Sequence, residues 1–230
     1  MTDTFAVTRD RLETYFNRTA SKAWEVLSTD VPVSPVRTRV RLGRQEMKNI
    51  LLNSIPSELS GARVLDAGCG TGELSVQLAS RGAEVLGVDI SRKLIDVANK
   101  RLPINLKQKV NYCVGDMLSE NHGSFDFVLA MDSLIHYDVK DIAKAIGTLE
   151  LRTSEAISFT VAPKTLLLSI LLSLGKALPR ANRSPNIAPV NFQRLHRELK
   201  KFERLSSLEL TQIKRVKASF YVSEAINLRK

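Results

Sequence analysis

The sequence predicts a doubly wound α/β fold on a seven-stranded, mostly parallel sheet, with N-terminal helices and a helical cap inserted after strand five. Three observations predict it. From residue 62 onward, short β-rich runs alternate with helical segments, as parallel strands joined by crossover helices require. The run VLDAGCGTGEL, Val64 to Leu74, places glycines at every second position between an apolar strand and a helix. Acidic residues close three successive strands, at the end of a sheet where α/β folds bind ligands.

Residues 7–28 read as a helix with Leu12, Phe16, Ala20 and Ala23 on one side, followed by a proline-containing loop at 31–35. In a second helix Val36, Val40, Met47, Ile50 and Leu51 share a face, while Arg37, Arg41, Arg44 and Lys48 mostly lie elsewhere. Residues 1–56 are thus expected to form a helical arm or lid, and 57–230 the main domain. Strands are predicted at 63–67, 84–88, 110–114 and 126–130 and in AISFTVA before Pro163, with helices near 73–81, 91–101 and 139–150. Residues 163–190 would form the cap. Its apolar core, Leu166 to Leu174, is nine residues long with two serines, short of the roughly 20 that a bilayer span needs. Leucines that point all round a helix are buried, cover a hydrophobic ligand, or dip into a membrane surface. A polar helix near 191–201 precedes FERLSSLEL and RVKASFYVS, which read as a terminal antiparallel pair, the second alternating Val216, Ala218, Phe220 and Val222.

Composition narrows the classes of function. With 43% hydrophobic and 25% charged residues, the 230-residue chain can bury a full core. Cys69 and Cys113 are too few for a disulfide scaffold, and no Cys/His cluster has metal-site spacing, so a reducing cytoplasm is expected. The opening MTDTFAVTRDRLETYF lacks an apolar signal core, and no secretory peptide is expected. The net charge of +10 is uneven: residues 1–159 carry 20 basic and 20 acidic residues, residues 160–230 carry 14 and 4. That basic region is either a solvated surface or a wall that attracts an anionic substrate, a nucleic acid or an acidic membrane.

Gly68, Gly70 and Gly72 follow a strand and open a helix. A dinucleotide motif, G-x-G-x-x-G, would put its last glycine at position 73, where Glu73 stands and would face the pyrophosphate. The spacing suits a ligand without phosphates. Asp66, at the end of the first strand, favours a cationic group such as an ammonium or sulfonium. Asp89, at the end of the second, can accept both hydroxyls of a ribose. Asp116, after the third, can accept from an adenine amino group, with Ile90 and Met117 as apolar faces for the ring. An aspartate at a strand end is equally often a helix cap, but three in order describe adenosine with an amino-acid tail.

In these residues the chain resembles the class I S-adenosylmethionine-dependent methyltransferases over about residues 60–160, with DAGCGTG as glycine motif, Asp89 as ribose acid and GDM as adenine element. The resemblance implies S-adenosylmethionine as cofactor and S-adenosylhomocysteine as product. The exit of the fourth strand, FDFVLAMDSLIHY, then supplies Asp132 for the cofactor and Ser133, His136 and Tyr137 for cofactor or substrate. His136 can be a packing histidine, a general base, a hydrogen-bond partner or a metal-facing ligand.

More closely, LETYFNRTASKAW, SPVRTRVRLGR, AMDSLIHY, FTVAPKTLLLSILLSLGKALPRANRSP and FYVSEAINL resemble the bacterial magnesium-protoporphyrin IX O-methyltransferases, from about Leu12 to Leu228. That resemblance implies esterification of a propionate of the magnesium porphyrin in chlorophyll or bacteriochlorophyll synthesis, with magnesium carried by the substrate and none bound by the protein. It also implies His136 at the catalytic position, and Tyr15, Phe16 and Trp24 on a lid. Lys164, Lys176, Arg180 and Arg183 would meet the second propionate, and residues 166–174 would cover the macrocycle. A partner such as magnesium chelatase, peripheral contact with the photosynthetic membrane and no nucleic acid go with it. Two rival readings stand beside this one: a methyltransferase for a quinone or phenol hydroxyl, with His136 as base, or for RNA, and a non-catalytic porphyrin carrier.

Overall fold

The structure is a computed structural model that describes residues 4–20, 34–164 and 187–230. The first described element is α1 (Thr4–Tyr15), which widens into one π-helical turn at Phe16–Ala20; it starts three residues before the helix expected over 7–28, of which residues 21–28 lie outside the described residues. α2 (Pro35–Leu52) starts where Pro35 occupies the first turn and the Ser34 hydroxyl accepts the Arg37 N–H at 3.5 Å. The alternating units follow: β1 (Arg63–Ala67), α3 (Glu73–Ser80), β2 (Glu84–Asp89), α4 (Arg92–Arg101), β3 (Val110–Val114), β4 (Phe125–Ala130), α5 (Val139–Glu150) and β5 (Thr153–Val161). Then come α6 (Phe192–Leu199), the single turn α7 (Glu203–Ser206), β6 (Glu209–Ala218) and β7 (Tyr221–Arg229).

The seven strands lie in the order β3-β2-β1-β4-β5-β7-β6. β1 to β5 are parallel, and β7 enters antiparallel between β5 and the edge strand β6. The order reverses between β1 and β4, which opens a crevice at their carboxyl ends. One core holds Val128, Phe159 and Ile146 with Phe5 and Leu12 of α1; the other holds Val64, Leu78 and Leu129 with Met47 and Leu51 of α2. Both N-terminal helices are therefore packed against the sheet.

The expected terminal antiparallel pair forms with other bounds. FERLSSLEL holds the turn of α7 and only the first two residues of β6, and RVKASFYVS runs across the hairpin turn, where Ala218 pairs with Tyr221 and Ser219 takes φ +59°. The alternation of Val216 to Val222 continues in sequence through that bend, and no glycine or asparagine marks it. Of the expected cap, residues 165–186 lie outside the described residues. Its two ends meet: the Lys164 N–H donates to the Val190 carbonyl and the Val190 N–H to the Ala162 carbonyl, each at 2.8 Å.

Candidate active site

The glycine turn after β1 is folded so that its own donors face inward. The N–H groups of Gly68 and Cys69 both reach the Val88 carbonyl, Gly70 N–H reaches the Asp89 carboxylate at 2.9 Å, and Gly72 N–H closes onto Cys69. With four N–H groups engaged, the turn offers no cradle for a phosphate. Glu73 contributes less to that exclusion than its charge alone suggests, because Lys48 of α2 pairs with it at 3.0 Å. Gly68 has φ +81°, and a Cβ there would lie 2.3 Å from that of Ser133. Gly68→Ala is expected to push the loop and the Ser133 turn apart and to weaken cofactor binding at least about tenfold in calorimetry; unchanged affinity would refute that close-packing role.

Beside the turn lies an open cleft. Asp66, Gly68, Gly70, Asp89, Ile90, Asp116, Met117, Asp132, Ser133 and His136 all line it, whereas Gly72 does not and instead accepts the Tyr112 hydroxyl on its carbonyl at 3.2 Å. Asp66 is 1% exposed and accepts the Ser75 hydroxyl at 2.6 Å. Burial, reinforced by Asp89, pushes its carboxyl up to about 7 against the lowering effect of Ser75. Asp89 accepts Ser91 N–H on one oxygen at 2.8 Å and Gly70 N–H on the other; burial still raises it to about 6. Burial thus holds both carboxyls above their ordinary range against hydrogen bonds that lower them.

At the far end Ile90, Leu94 and Met117 form an apolar slot. Asp116 beside it accepts Leu118 N–H at 2.9 Å, and its other oxygen meets Arg9 of α1 at 2.8 Å. Arg9 is held there on a helix pinned at both ends: Thr4 donates to the Asp141 carboxylate at 2.8 Å, Phe5 stacks on Tyr137 with centroids 4.3 Å apart, and Ser91 donates to Asn17 at 2.9 Å. Phe5, Leu12 and Phe16 form an apolar roof.

The opposite end is formed by the turn after β4. Asp132 sits at φ +55°, and its carboxylate is taken up by the chain itself: Tyr221 donates at 3.0 Å, with Ser223 and Thr160 at 3.4 Å and Arg44 at 3.7 Å. It shapes the wall of the cleft. Ser133 places a buried hydroxyl there with no hydrogen-bond partner among the described residues. His136, 9% exposed, lies edge-on to Phe16 at 6.2 Å.

Of the other residues expected here, Tyr15 packs edge-on against Phe16 without lining the cleft, and Lys164 is exposed away from it. Trp24, Lys176, Arg180 and Arg183 lie outside the described residues. Among the described residues, Arg9, Arg44 and Lys48 are the cations that line the cleft. Their positions depend on helices distant in sequence; the only trace was the arginine-rich helix beginning SPVRTRVRLGR.

Residues 130–230 match the sequence model of the magnesium-protoporphyrin IX methyltransferase C-terminus, and residues 64–150 that of a methyltransferase domain. The magnesium-protoporphyrin O-methyltransferase of Rhodobacter capsulatus is 48% identical over the whole of both chains. This chain belongs to the magnesium-protoporphyrin O-methyltransferase family. A family member from Synechocystis is 32% identical over 74% of this chain and 75% of its own length. The crystal structure of a Synechocystis magnesium protoporphyrin IX methyltransferase with bound SAH superposes with a TM-score of 0.81 at 26% identity, covering 96% of this chain and 99% of that one. Within the family fold, the cleft described here lies at the switch between β1 and β4.

Proposed function

We infer that this chain methylates a propionate carboxylate of magnesium protoporphyrin IX with S-adenosylmethionine, giving the monomethyl ester in chlorophyll or bacteriochlorophyll synthesis. The observation that carries the reading is the pair of buried acids, Asp66 and Asp89, on the cleft wall beside a glycine turn whose N–H groups face inward. That chemistry fits the cofactor. Asp89 keeps lone pairs on both oxygens for ribose hydroxyls, Ile90 and Met117 flank the adenine, and Asp66 faces the ammonium of the amino-acid end. Arg44 and Lys48 suit the carboxylate of that end, and Ser133 offers its unpartnered hydroxyl nearby.

The bound cofactor supplies a methyl group activated on a sulfonium. The acceptor needs no base, because a propionate with a pKa near 4.3 is already ionised at pH 7. The protein's part is alignment and exclusion of water, which together can supply roughly 7–11 kcal/mol. Phe5, Leu12 and Phe16 close the roof, and His136 orients the carboxylate oxygen from the wall of the cleft. His136→Ala is therefore expected to lower kcat/KM about tenfold, the effect of one lost hydrogen bond. A loss beyond about a thousandfold with both ligands still bound would make His136 a general base and favour a hydroxyl acceptor.

Among the described residues no helix is long and apolar enough to cross a membrane; peripheral contact and hand-over from a magnesium-inserting enzyme belong to the proposal. The deciding experiment incubates the protein with methyl-labelled cofactor and magnesium protoporphyrin. Label in the monomethyl ester is expected, and binding of the porphyrin with no methyl transfer would leave a carrier.

A further inference from the structure

We propose that Arg152, at the entrance of β5, is a positioning residue for adenine recognition and acts through the peptide that joins Met117 to Leu118. Its guanidinium donates to the Met117 carbonyl at 2.9 Å and to the Ser119 carbonyl. Leu118 N–H belongs to the same peptide as the Met117 carbonyl, and it donates to the Asp116 carboxylate at 2.9 Å. A trans peptide points its carbonyl and its N–H in opposite directions. The cation therefore grips one edge of that plane and the acid the other. The inference rests on the place given above to Asp116 beside the adenine.

The topology explains why this segment needs a prop. β2 and β1 lie between β3 and β4, so the chain must pass both and return to the start of the sheet within residues 115–124. Parallel crossovers ordinarily take about a dozen residues or more, usually with a helix that packs on the sheet. This one holds only the single 3-10 turn Glu120–His122. Arginines from the starts of two strands brace it instead. Arg63 donates to the His122 carbonyl at 2.8 Å and to that of Ser124, and Arg152 holds the end next to the cleft. Arg152 is itself fixed by its backbone: its N–H donates to Leu149 at the end of α5 at 3.2 Å, and its carbonyl accepts Phe125 N–H at 2.8 Å.

A neutral side chain could serve as a spacer, so the charge calls for its own reason. Among the described residues the guanidinium meets carbonyl oxygens, and its Nε is buried without a partner. Burial lowers its pKa against Glu120 and Asp116, which raise it. A cation kept there despite its desolvation polarises the Met117 carbonyl, which strengthens Leu118 N–H as a donor, and its field favours Asp116 in the ionised form. Arg9 meets the other oxygen of Asp116 at 2.8 Å from the roof. A carboxylate held at both oxygens keeps lone pairs for a 6-amino group.

The test is calorimetry of S-adenosylhomocysteine against its analogue with purine in place of adenine, which lacks the 6-amino group. The parent should prefer the adenine compound about tenfold or more. Arg152→Met should weaken the adenine compound about tenfold and leave the analogue nearly unchanged, so the preference largely disappears; binding of the analogue confirms folding. Arg152→Lys keeps the charge and should retain part of the preference. If Arg152→Met does not fold, Arg152→Lys is read alone, with a partial loss of preference expected. In an Asp116→Ala background, Arg152→Met should cost the adenine compound nothing further. Equal losses for both ligands, an unchanged preference in the Arg152 variants, or additive losses with Asp116→Ala would make Arg152 an ordinary structural residue and overturn the proposal. A parent that binds both compounds equally would instead overturn the placing of the adenine at Asp116, and this inference with it.

Discussion

Asp66→Asn should make the ligand-free protein more stable at about pH 8 while weakening its grip on S-adenosylmethionine. A carboxyl with an ordinary value of 3.8 that is raised to about 7 binds its proton more tightly in the folded state than in the unfolded one. Its stabilising effect is complete at low pH and is lost as pH rises from about 4 through about 7, because the folded state then releases a proton it had favoured. Asp89, raised to about 6, adds to the same slope. The ligand-free protein should therefore melt at progressively lower temperature between about pH 5 and pH 8. The asparagine side chain would keep an acceptor for Ser75 and remove the buried charge. With about 1.4 kcal/mol for each unit of displacement, the gain is of the order of a few kcal/mol, several degrees for a chain of this length. Cofactor affinity should fall, since the ammonium would lose its counter-charge. Calorimetry in buffers of different ionisation enthalpy should also show proton release on binding below about pH 7. Equal melting temperatures for Asp66→Asn and the parent at both pH extremes would show that this acid carries no such strain.

Asp89→Ala should cost cofactor binding about 1.5–3 kcal/mol, roughly ten- to a hundredfold, through loss of charge-assisted hydrogen bonds to the ribose. It should also lower stability, because the N–H groups of Gly70 and Ser91 would both lose their acceptor. Asp89→Asn separates the two effects: its carbonyl oxygen restores one of those bonds, so stability should largely return while affinity stays low. If Asp89→Asn binds the cofactor as the parent does, the ribose assignment fails.

The part of the site that was legible in the sequence is the part made by local chemistry. An apolar strand, a glycine turn and an acid at the strand end lie within a few residues of one another, so Asp66, Gly68, Gly70 and Asp89 could be placed without knowing the rest of the fold. Ile90 and Met117 followed from the same strand ends. Arg9, Arg44 and Lys48 could not be placed in this way. They reach the cleft from two helices that precede the sheet, and which helical face packs inward is decided by Met47 and Leu51 on one and Phe5 and Leu12 on the other. Asp132 was legible only in part. Its position after β4 places it on the wall of the cleft, but the partners of its carboxylate, Tyr221 and Ser223, lie about ninety residues further on and could not be placed from the sequence. The terminal antiparallel pair was legible but its bend was not, because Ser219 and Phe220 make it without the residues that ordinarily announce one.

The place of β7 has a consequence for synthesis on the ribosome. The last strand of the chain is an interior strand of the sheet, inserted between β5 and β6, and its Tyr221 and Ser223 hold the Asp132 turn in its left-handed conformation. A nascent chain that has emerged only as far as β6 lacks the strand on which β6 pairs and the hydroxyls that lock this turn. Methyl-transfer competence therefore waits for β7, and a chain released after β6 carries the complete glycine turn with an unfinished far end of the cleft.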